Sequence, residues 1–140
     1  MKKIILSTMI LAFGLNSMAF TGPDFTLTVV VKQMKNTEGE LRVSLFNSES
    51  DWLSKGEIQT SQIENQEVVT ISFKNVPAGK YAVSVIHDAN SNGDLDTGSF
   101  GIPVEAYGFS NDARGMFGPP SFDESEFEIT SDHKIIVNIK

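Results

Sequence analysis

Residues 66–88 read QEVVTISFKNVPAGKYAVSVIHD, and this stretch decides the fold class. Apolar side chains occupy alternate positions in both of its halves: Val69, Ile71 and Phe73, then Tyr81, Val83 and Val85. A period of two is typical of a β-strand with one buried face. Between the halves, Val76-Pro77-Ala78-Gly79 places Pro second and Gly fourth, as a type I turn favours. The stretch therefore predicts two strands, Gln66–Lys74 and Lys80–His87, joined by a tight turn.

The same period continues on both sides of this stretch. Upstream, Phe25–Lys32 and Leu41–Phe46 alternate in the same way and flank a turn at Asn36–Glu40, which predicts an antiparallel hairpin. Downstream, five apolar residues predict two further strands around a turn at Ser131–His133: Phe127, Ile129, Ile135, Val137 and Ile139. No long segment has a helical period. We expect helix only as short turns at Ser48–Ser54, after a capping-box spacing, and at Ser121–Ser125.

The N-terminus has the three parts of a secretory signal peptide. Lys2 and Lys3 precede an apolar run, and Ser17-Met18-Ala19 supplies small residues for cleavage. The run is too short to span a bilayer comfortably, so we expect a periplasmic or secreted protein without a membrane anchor after cleavage. The domain prediction is a signal peptide at residues 1–19 and one all-β domain at residues 20–140. Its fold is predicted to be an antiparallel β-sandwich.

Composition excludes several functions. The formal charge is −7, and it becomes −9 when Lys2 and Lys3 are removed, which argues against a nucleic-acid-binding surface. The chain has no cysteine, so it has neither disulfides, nor a thiolate metal site, nor a Cys nucleophile. No G-x-S-x-G turn is present, and we expect His87 to make a structural hydrogen bond.

A long segment, residues 88–125, lacks a sustained strand pattern and contains six of the eleven glycines and three of the five prolines. Loops of this length in compact domains are usually functional or disordered. Eight apolar residues are expected to pin the segment as an ordered crown loop on one end of the sandwich: Phe100, Ile102, Val104, Tyr107, Phe109, Met116, Phe117 and Phe122. The segment is therefore where a functional site is expected.

The segment begins with Asp88-Ala89-Asn90-Ser91-Asn92-Gly93-Asp94-Leu95-Asp96, which has the D-x-[DN]-x-[DN]-G core of a calcium loop. Calcium takes six to eight hard oxygens, and a loop bent at glycine turns alternate side chains inward. The predicted metal ligands are the side chains of Asp88, Asn90 and Asn92, the backbone carbonyl of Asp94, and Asp96 directly or through water. The alternative is a turn without metal, because Asn, Asp and Gly favour turns for backbone reasons.

The loop departs from the EF-hand pattern. Ser99 occupies the twelfth position, where a bidentate Glu belongs, and a strand rather than a helix enters the loop. Glu105 and Asp112 are the two candidates for the missing carboxylate.

Three runs within residues 81–127 resemble a known family: HDANSNGDLD, GIPVEAYGFSNDA and FGPPSFDESEF. They are similar to the bacterial family catalogued as domain of unknown function 2141. Ala106 stands where that family usually has Gly. The resemblance implies an exported sandwich of immunoglobulin-like or transthyretin-like form, and it implies no established activity.

We predict a non-catalytic exported protein of unknown role with a calcium-binding loop and a recognition surface on residues 88–125. One alternative is a carbohydrate- or peptide-binding module whose ligand surface consists of Tyr107, Phe109, Phe117 and Phe122. The other alternative is a hydrolase using loop carboxylates, for which the candidates are Glu105, Asp112, Asp123 and Glu124.

Overall fold

The computed structural model describes residues 22–140, so the signal-peptide prediction lies outside the described residues. Eight strands follow one another within these residues: β1 Asp24–Lys32, β2 Glu40–Phe46, β3 Glu57–Gln62, β4 Val68–Pro77, β5 Gly79–Asp88, β6 Tyr107–Phe109, β7 Phe127–Ile129 and β8 His133–Asn138. The same part of the chain contains one four-residue helix, α1, at Phe122–Ser125, and two 3-10 turns at Ser99–Gly101 and Ser110–Asp112. The prediction of an all-β chain is confirmed for this part of the protein.

The strands form two sheets. One has the order β4-β1-β8, and the other has the order β3-β2-β5-β6 with β7 also paired to β5. All pairs are antiparallel except β1 with β8, which is parallel from Leu27↔His133 to Lys32↔Asn138. The prediction of a purely antiparallel sandwich is therefore wrong at this pair. The strand before β8 in sequence, β7, pairs with β5 in the other sheet, so β8 is not joined to its partner β1 by a hairpin turn that would make the pair antiparallel.

The predicted hairpin of the first two strands is also wrong. β1 pairs with β4 and β8, whereas β2 pairs with β3 and β5 in the other sheet. The connection around Gly39 therefore crosses between sheets. Both strands bury one alternate face, and the two buried faces meet across the sandwich instead of lying edge to edge.

The region between β2 and β4 differs most from its prediction. Residues expected to form a helix at Ser48–Ser54 make turns, and Leu53 has a φ of 56° that no right-handed helix contains. The Ser48 hydroxyl donates to the Asp51 carboxylate at 3.2 Å, whereas a helix cap accepts from backbone N–H. β3 follows and was not predicted, because its residues EIQTSQ have no apolar alternation. The capping box exists instead at Ser121 and Glu124, where the second predicted helical turn is confirmed.

The main core lies between the two sheets. It consists of the inward residues of β1, β2, β4, β5 and β8, including Leu27, Val43, Phe73 and Val85, which are fully buried. A smaller cluster covers the outer face of the five-stranded sheet and is made by Phe46, Ala82, Phe122 and Trp52. β5 is buried on both faces as a result, which fixes the position of Asp88 at its end.

Tyr81 on β5 marks the opposite end of that strand from Asp88. Its hydroxyl donates to the Pro77 carbonyl at 2.8 Å. Burial raises the pKa of Tyr81 above its usual value of 10.0, and the negative charges of Asp24 and Glu57 raise it further. The neutral phenol is therefore the form that the folded protein favours.

Candidate functional site

Asp88 is the point at which β5 becomes a loop. Its side chain is fully buried, and its two carboxylate oxygens accept from the backbone N–H groups of Asn92 at 3.1 Å and Gly93 at 2.7 Å. Gly93 has a φ of 85°, a conformation that glycine adopts without steric cost. The buried carboxylate thus holds the sharp bend that the sequence motif predicts.

Asn90, Asn92 and Asp96 bring their side chains together inside the same loop. The side-chain amides of Asn90 and Asn92 donate to different oxygens of the Asp96 carboxylate, the second at 2.8 Å. Asp94 is exposed, and its backbone N–H donates to the side-chain oxygen of Asn92 at 3.0 Å. Four of the five predicted ligand residues therefore turn their side chains into the Asp/Asn loop (residues 88–96), whereas the Asp94 side chain is exposed.

Glu105 closes the Asp/Asn loop from outside. Its carboxylate oxygens accept from Ala89 N–H and Asp96 N–H, each at 3.0 Å. Asp112 lies elsewhere, because its carboxylate accepts from the backbone and side-chain nitrogens of Asn138 at 3.0 and 2.8 Å. Of the two candidates for the missing carboxylate, the structure places Glu105 against the loop.

The connection between β1 and β2 packs against the start of the Asp/Asn loop. The His87 ring nitrogen Nε2 forms a 2.8 Å hydrogen bond with the Glu38 carbonyl, and His87 is buried. A side chain at Gly39 would collide with the backbone of Asp88 and Ala89, at 2.0 Å from the Asp88 oxygen. Sequence reasoning missed this support, and a glycine in a turn gives no signal of what packs against it.

The Asp/Asn loop is rich in negatively charged oxygen atoms. Asp88, Asp96 and Glu105 bring three carboxylates to one loop, and their hydrogen-bond partners are neutral N–H groups. Within residues 22–140, no three His, Cys, Asp or Glu side chains form a group able to hold a metal. Any cation bound here would therefore need the amide oxygens and backbone carbonyls as well, which suits a hard ion such as Ca²⁺.

The eight apolar residues expected to pin the 88–125 segment fall into two groups. Phe109 and Phe122 are buried and Tyr107 is half-buried. Trp52 packs against both phenylalanines with ring centroids 5.9 Å apart. The other five are exposed, which corrects the pinning prediction for them: Phe100, Ile102, Val104, Met116 and Phe117.

The predicted aromatic ligand surface is divided in the same way. Phe122 belongs to the smaller outer cluster and Phe109 packs against Trp52 beside it, whereas Phe117 is 99% exposed. Tyr107 and Phe109 line an open cleft of about 170 Å³ together with Asp112, Arg114, Asn138 and Lys140. Two of the four predicted aromatics, Tyr107 and Phe109, therefore share this concave surface, whereas Phe117 and Phe122 lie outside it.

Three consecutive polar residues, Ser110-Asn111-Asp112, form a clasp that sequence reasoning did not identify. The buried Ser110 hydroxyl accepts from Val83 N–H at 2.9 Å and contacts the Ser125 carbonyl. Asn111 donates to the carbonyls of Glu124 and Glu126 at 3.3 and 2.8 Å. Because Asp112 also accepts hydrogen bonds from Asn138 of β8, the clasp connects β5, α1 and β8.

Of the four hydrolase candidates, Asp123 is exposed in the first turn of α1, and the other three each make hydrogen bonds in a different part of the structure. Glu105 caps the Asp/Asn loop, and Asp112 holds β8. Glu124 belongs to the capping box, where it accepts from Ser121 N–H at 2.8 Å. Two carboxylates facing a common cleft are what glycoside hydrolysis requires, and these three serve different local structures.

A family model matches residues 29–137, which is most of the chain, under the description "Uncharacterized protein conserved in bacteria (DUF2141)". The chain belongs to this bacterial family. The match includes both the Asp/Asn loop and the clasp. Searches of curated proteins and of solved structures each gave no significant match. No helix within residues 22–140 has the length and apolar character needed to cross a membrane.

Proposed function

We propose that this DUF2141 protein is an exported, non-catalytic calcium-binding module. Its Asp/Asn loop binds Ca²⁺, and the adjoining part of residues 88–125 is a recognition surface. The observation that carries the proposal is the convergence of the Asp88, Asn90, Asn92 and Asp96 side chains within one loop. These residues stand at the first, third, fifth and ninth positions of the motif, which is the spacing of a calcium loop.

Calcium binding would replace hydrogen bonds within the loop by bonds from the same side chains to the ion. The Asp96 carboxylate now accepts from two side-chain amides. Rotation of those amides would present oxygens to a cation at the same place, and the Glu105 carboxylate lies against both ends of the loop as a further ligand. The ion would replace repulsion among Asp88, Asp96 and Glu105 by attraction.

The expected affinity is low. Each carboxylate already accepts hydrogen bonds, and these must be given up or shared when the ion binds. Ser99 removes the bidentate ligand of a tight site. We therefore propose a dissociation constant of about 10⁻⁴–10⁻³ M, the range of extracellular calcium modules.

Calorimetric titration with Ca²⁺ tests the site. Asp96→Asn should abolish the binding heat, because it removes a ligand charge from the loop. Asp94→Asn is the matched control: it removes the same charge from the same loop, but Asp94 contributes its backbone carbonyl, so most of the affinity should remain. Asp88→Asn is a second loss-of-binding variant. If the wild-type protein gives no heat at millimolar calcium, the loop is a metal-free turn.

A binding module for a small ligand is the second candidate, and the cleft beside Tyr107 favours it. Arg114 and Lys140 bring two cationic side chains to this cleft in an acidic chain. A peptide or acidic sugar would find an aromatic wall and two positive charges there. Tyr107→Leu should weaken such a ligand while leaving calcium binding unchanged, which separates the two functions.

Export and the detailed fold class complete the proposal. Export is supported by the signal-peptide pattern, and N-terminal mass spectrometry of the natural protein should show a chain beginning at Phe20. An intact Met1 on cytosolic material would contradict it. The two packed sheets support the proposal of an immunoglobulin-like or transthyretin-like sandwich with a crown loop.

A further inference from the structure

Residues 96–104 form a narrow two-stranded finger that starts at the Asp/Asn loop. The Val104 N–H donates to the Asp96 carbonyl at 2.9 Å, and the Gly98 N–H donates to the Ile102 carbonyl at 2.8 Å. A bridge between Thr97 and Pro103 lies between these two bonds. The finger turns at Ser99–Gly101, so its root belongs to the proposed calcium loop and its tip is the opposite end of this short hairpin.

The tip of the finger presents an aromatic ring that nothing in the described chain covers. Phe100 is 100% exposed, and its φ of 60° is a conformation that costs energy for any residue except glycine and, to a lesser degree, Asn or Asp. Ile102 and Val104 follow at alternate positions and are 63% and 68% exposed. The fold thus gives a strained position to a large apolar side chain without burying it, which points to a contact outside the domain.

Polarity changes along the finger. Residues 97–104 read TGSFGIPV and contain no charge, whereas Asp94, Asp96 and Glu105 lie at the root. Charge at the root and hydrocarbon at the tip match the change from headgroup to acyl chain across a lipid interface. A protein partner would need a preformed pocket that fits this one phenylalanine ring, whereas fluid lipid can surround an apolar side chain of any shape.

We propose that the finger inserts its tip into an anionic phospholipid surface when calcium occupies the Asp/Asn loop. This inference rests on the proposed function, because the acidic root would otherwise be repelled by lipid phosphates. A calcium ion at the root would be attracted to both the loop carboxylates and the phosphates.

The dimensions suit this mode of binding. Phe100 is four positions after Asp96, and the last steps lie in the turn at Ser99–Gly101, so the finger reaches at most about 13 Å beyond its root. Interfacial segments bury their apolar side chains about 5–10 Å below the headgroup boundary. With Phe100 and Ile102 at that depth, the Asp/Asn loop would lie at the level of the headgroups.

Co-sedimentation with vesicles tests the proposal. The full-length protein is mixed with phosphatidylglycerol–phosphatidylethanolamine vesicles, with phosphatidylcholine vesicles as the neutral control, each in millimolar calcium and in EDTA. We expect binding only to the anionic vesicles and only with calcium. Phe100→Asn should weaken that binding about tenfold or more, the amount expected for losing one buried aromatic side chain. Asn tolerates the positive φ, so this variant should fold.

Phe117→Asn is the matched control, because Phe117 is an equally exposed phenylalanine on a different loop. Less than a twofold effect supports the finger, whereas an equal loss in both variants means unspecific apolar adhesion and overturns it. Calcium heat without vesicle binding overturns this inference and leaves the proposed function intact. Loss of both overturns both, and binding that persists in EDTA overturns the calcium bridge. A dimer in sedimentation that Phe100→Asn dissociates assigns the tip to a second copy instead.

Discussion

The Asp/Asn loop and the Ser110–Asp112 clasp are both short polar clusters in the same segment, but their hydrogen bonds run in different directions. The loop bonds to itself and to Glu105, within 17 residues of Asp88 along the chain. The clasp bonds to Val83, 27 residues away, and to Asn138, 26 residues away. A cluster with local bonds can exchange them for a ligand without loosening the fold, whereas a cluster with distant bonds holds the fold itself.

The largest effect should come from the clasp. Ser110→Ala leaves the buried Val83 N–H without its partner and should lower the free energy of unfolding by about 2 kcal/mol. For a domain of this size, that is a fall in Tm of roughly 4–7 °C. Urea unfolding measured in EDTA and in calcium should show the same loss. A loss that calcium repairs would mean that the clasp and the loop are one unit.

Calcium itself should act through the loop alone. At a free concentration about ten times the dissociation constant, mass action adds about 1.4 kcal/mol and raises Tm by roughly 3–5 °C. Differential scanning fluorimetry should show this rise in the wild type and in Ser110→Ala, but not in Asp96→Asn. Magnesium should raise Tm less, because it requires a strict octahedron. A rise of the same size in Asp96→Asn would place the ion elsewhere.

Glu105 tests whether the loop is independent of the fold. Glu105→Gln keeps one acceptor oxygen in place of two, so one of the N–H groups of Ala89 and Asp96 loses its partner. We expect a loss of about 1 kcal/mol in EDTA, because both bonds are partly exposed to water. Hydrogen exchange should be faster at residues 89–96 and unchanged at β5. Faster exchange along β5 would show that the loop and the sheet open together.

The smallest effect should come from the tip of the finger. Phe100→Asn relieves the positive φ and removes no buried contact, so it should stabilise the protein by about 0.5 kcal/mol. Thermal unfolding by circular dichroism checks the sign. A destabilisation would show that the Phe100 ring packs on the domain in solution.

The strands and the bend of the Asp/Asn loop were predictable for the same reason. Val69, Ile71 and Phe73 alternate because one face of β4 is buried, and Asp88, Asn90 and Asn92 alternate because one side of the loop faces inward. Each pattern is written within a few neighbouring residues. β3 has no such pattern, since Ile58 is its one apolar residue, and its position is set by pairing with the edge of β2.

Pairing between distant segments was not predictable in this way. Phe25–Lys32 and Leu41–Phe46 looked like partners because a turn joins them, but their partners lie in different sheets. The aromatics of residues 88–125 looked equivalent, and the structure buries Phe109 while exposing Phe100. Hydrophobicity states which side chains benefit from burial, but the available partners depend on the whole fold.

The amino-acid sequence by itself determined an all-β chain, a membership in its bacterial family, and a loop whose residues carry the spacing for a cation. Local periodicity and local spacing are sufficient for these, because they depend on backbone geometry within ten or so residues. Only the tertiary structure decided that Glu105 rather than Asp112 closes the loop, that β8 runs parallel to β1, and that Phe100 stands alone at the end of a finger. These depend on which segments meet after the two sheets have packed, and that is a property of the assembled core rather than of any one stretch of chain.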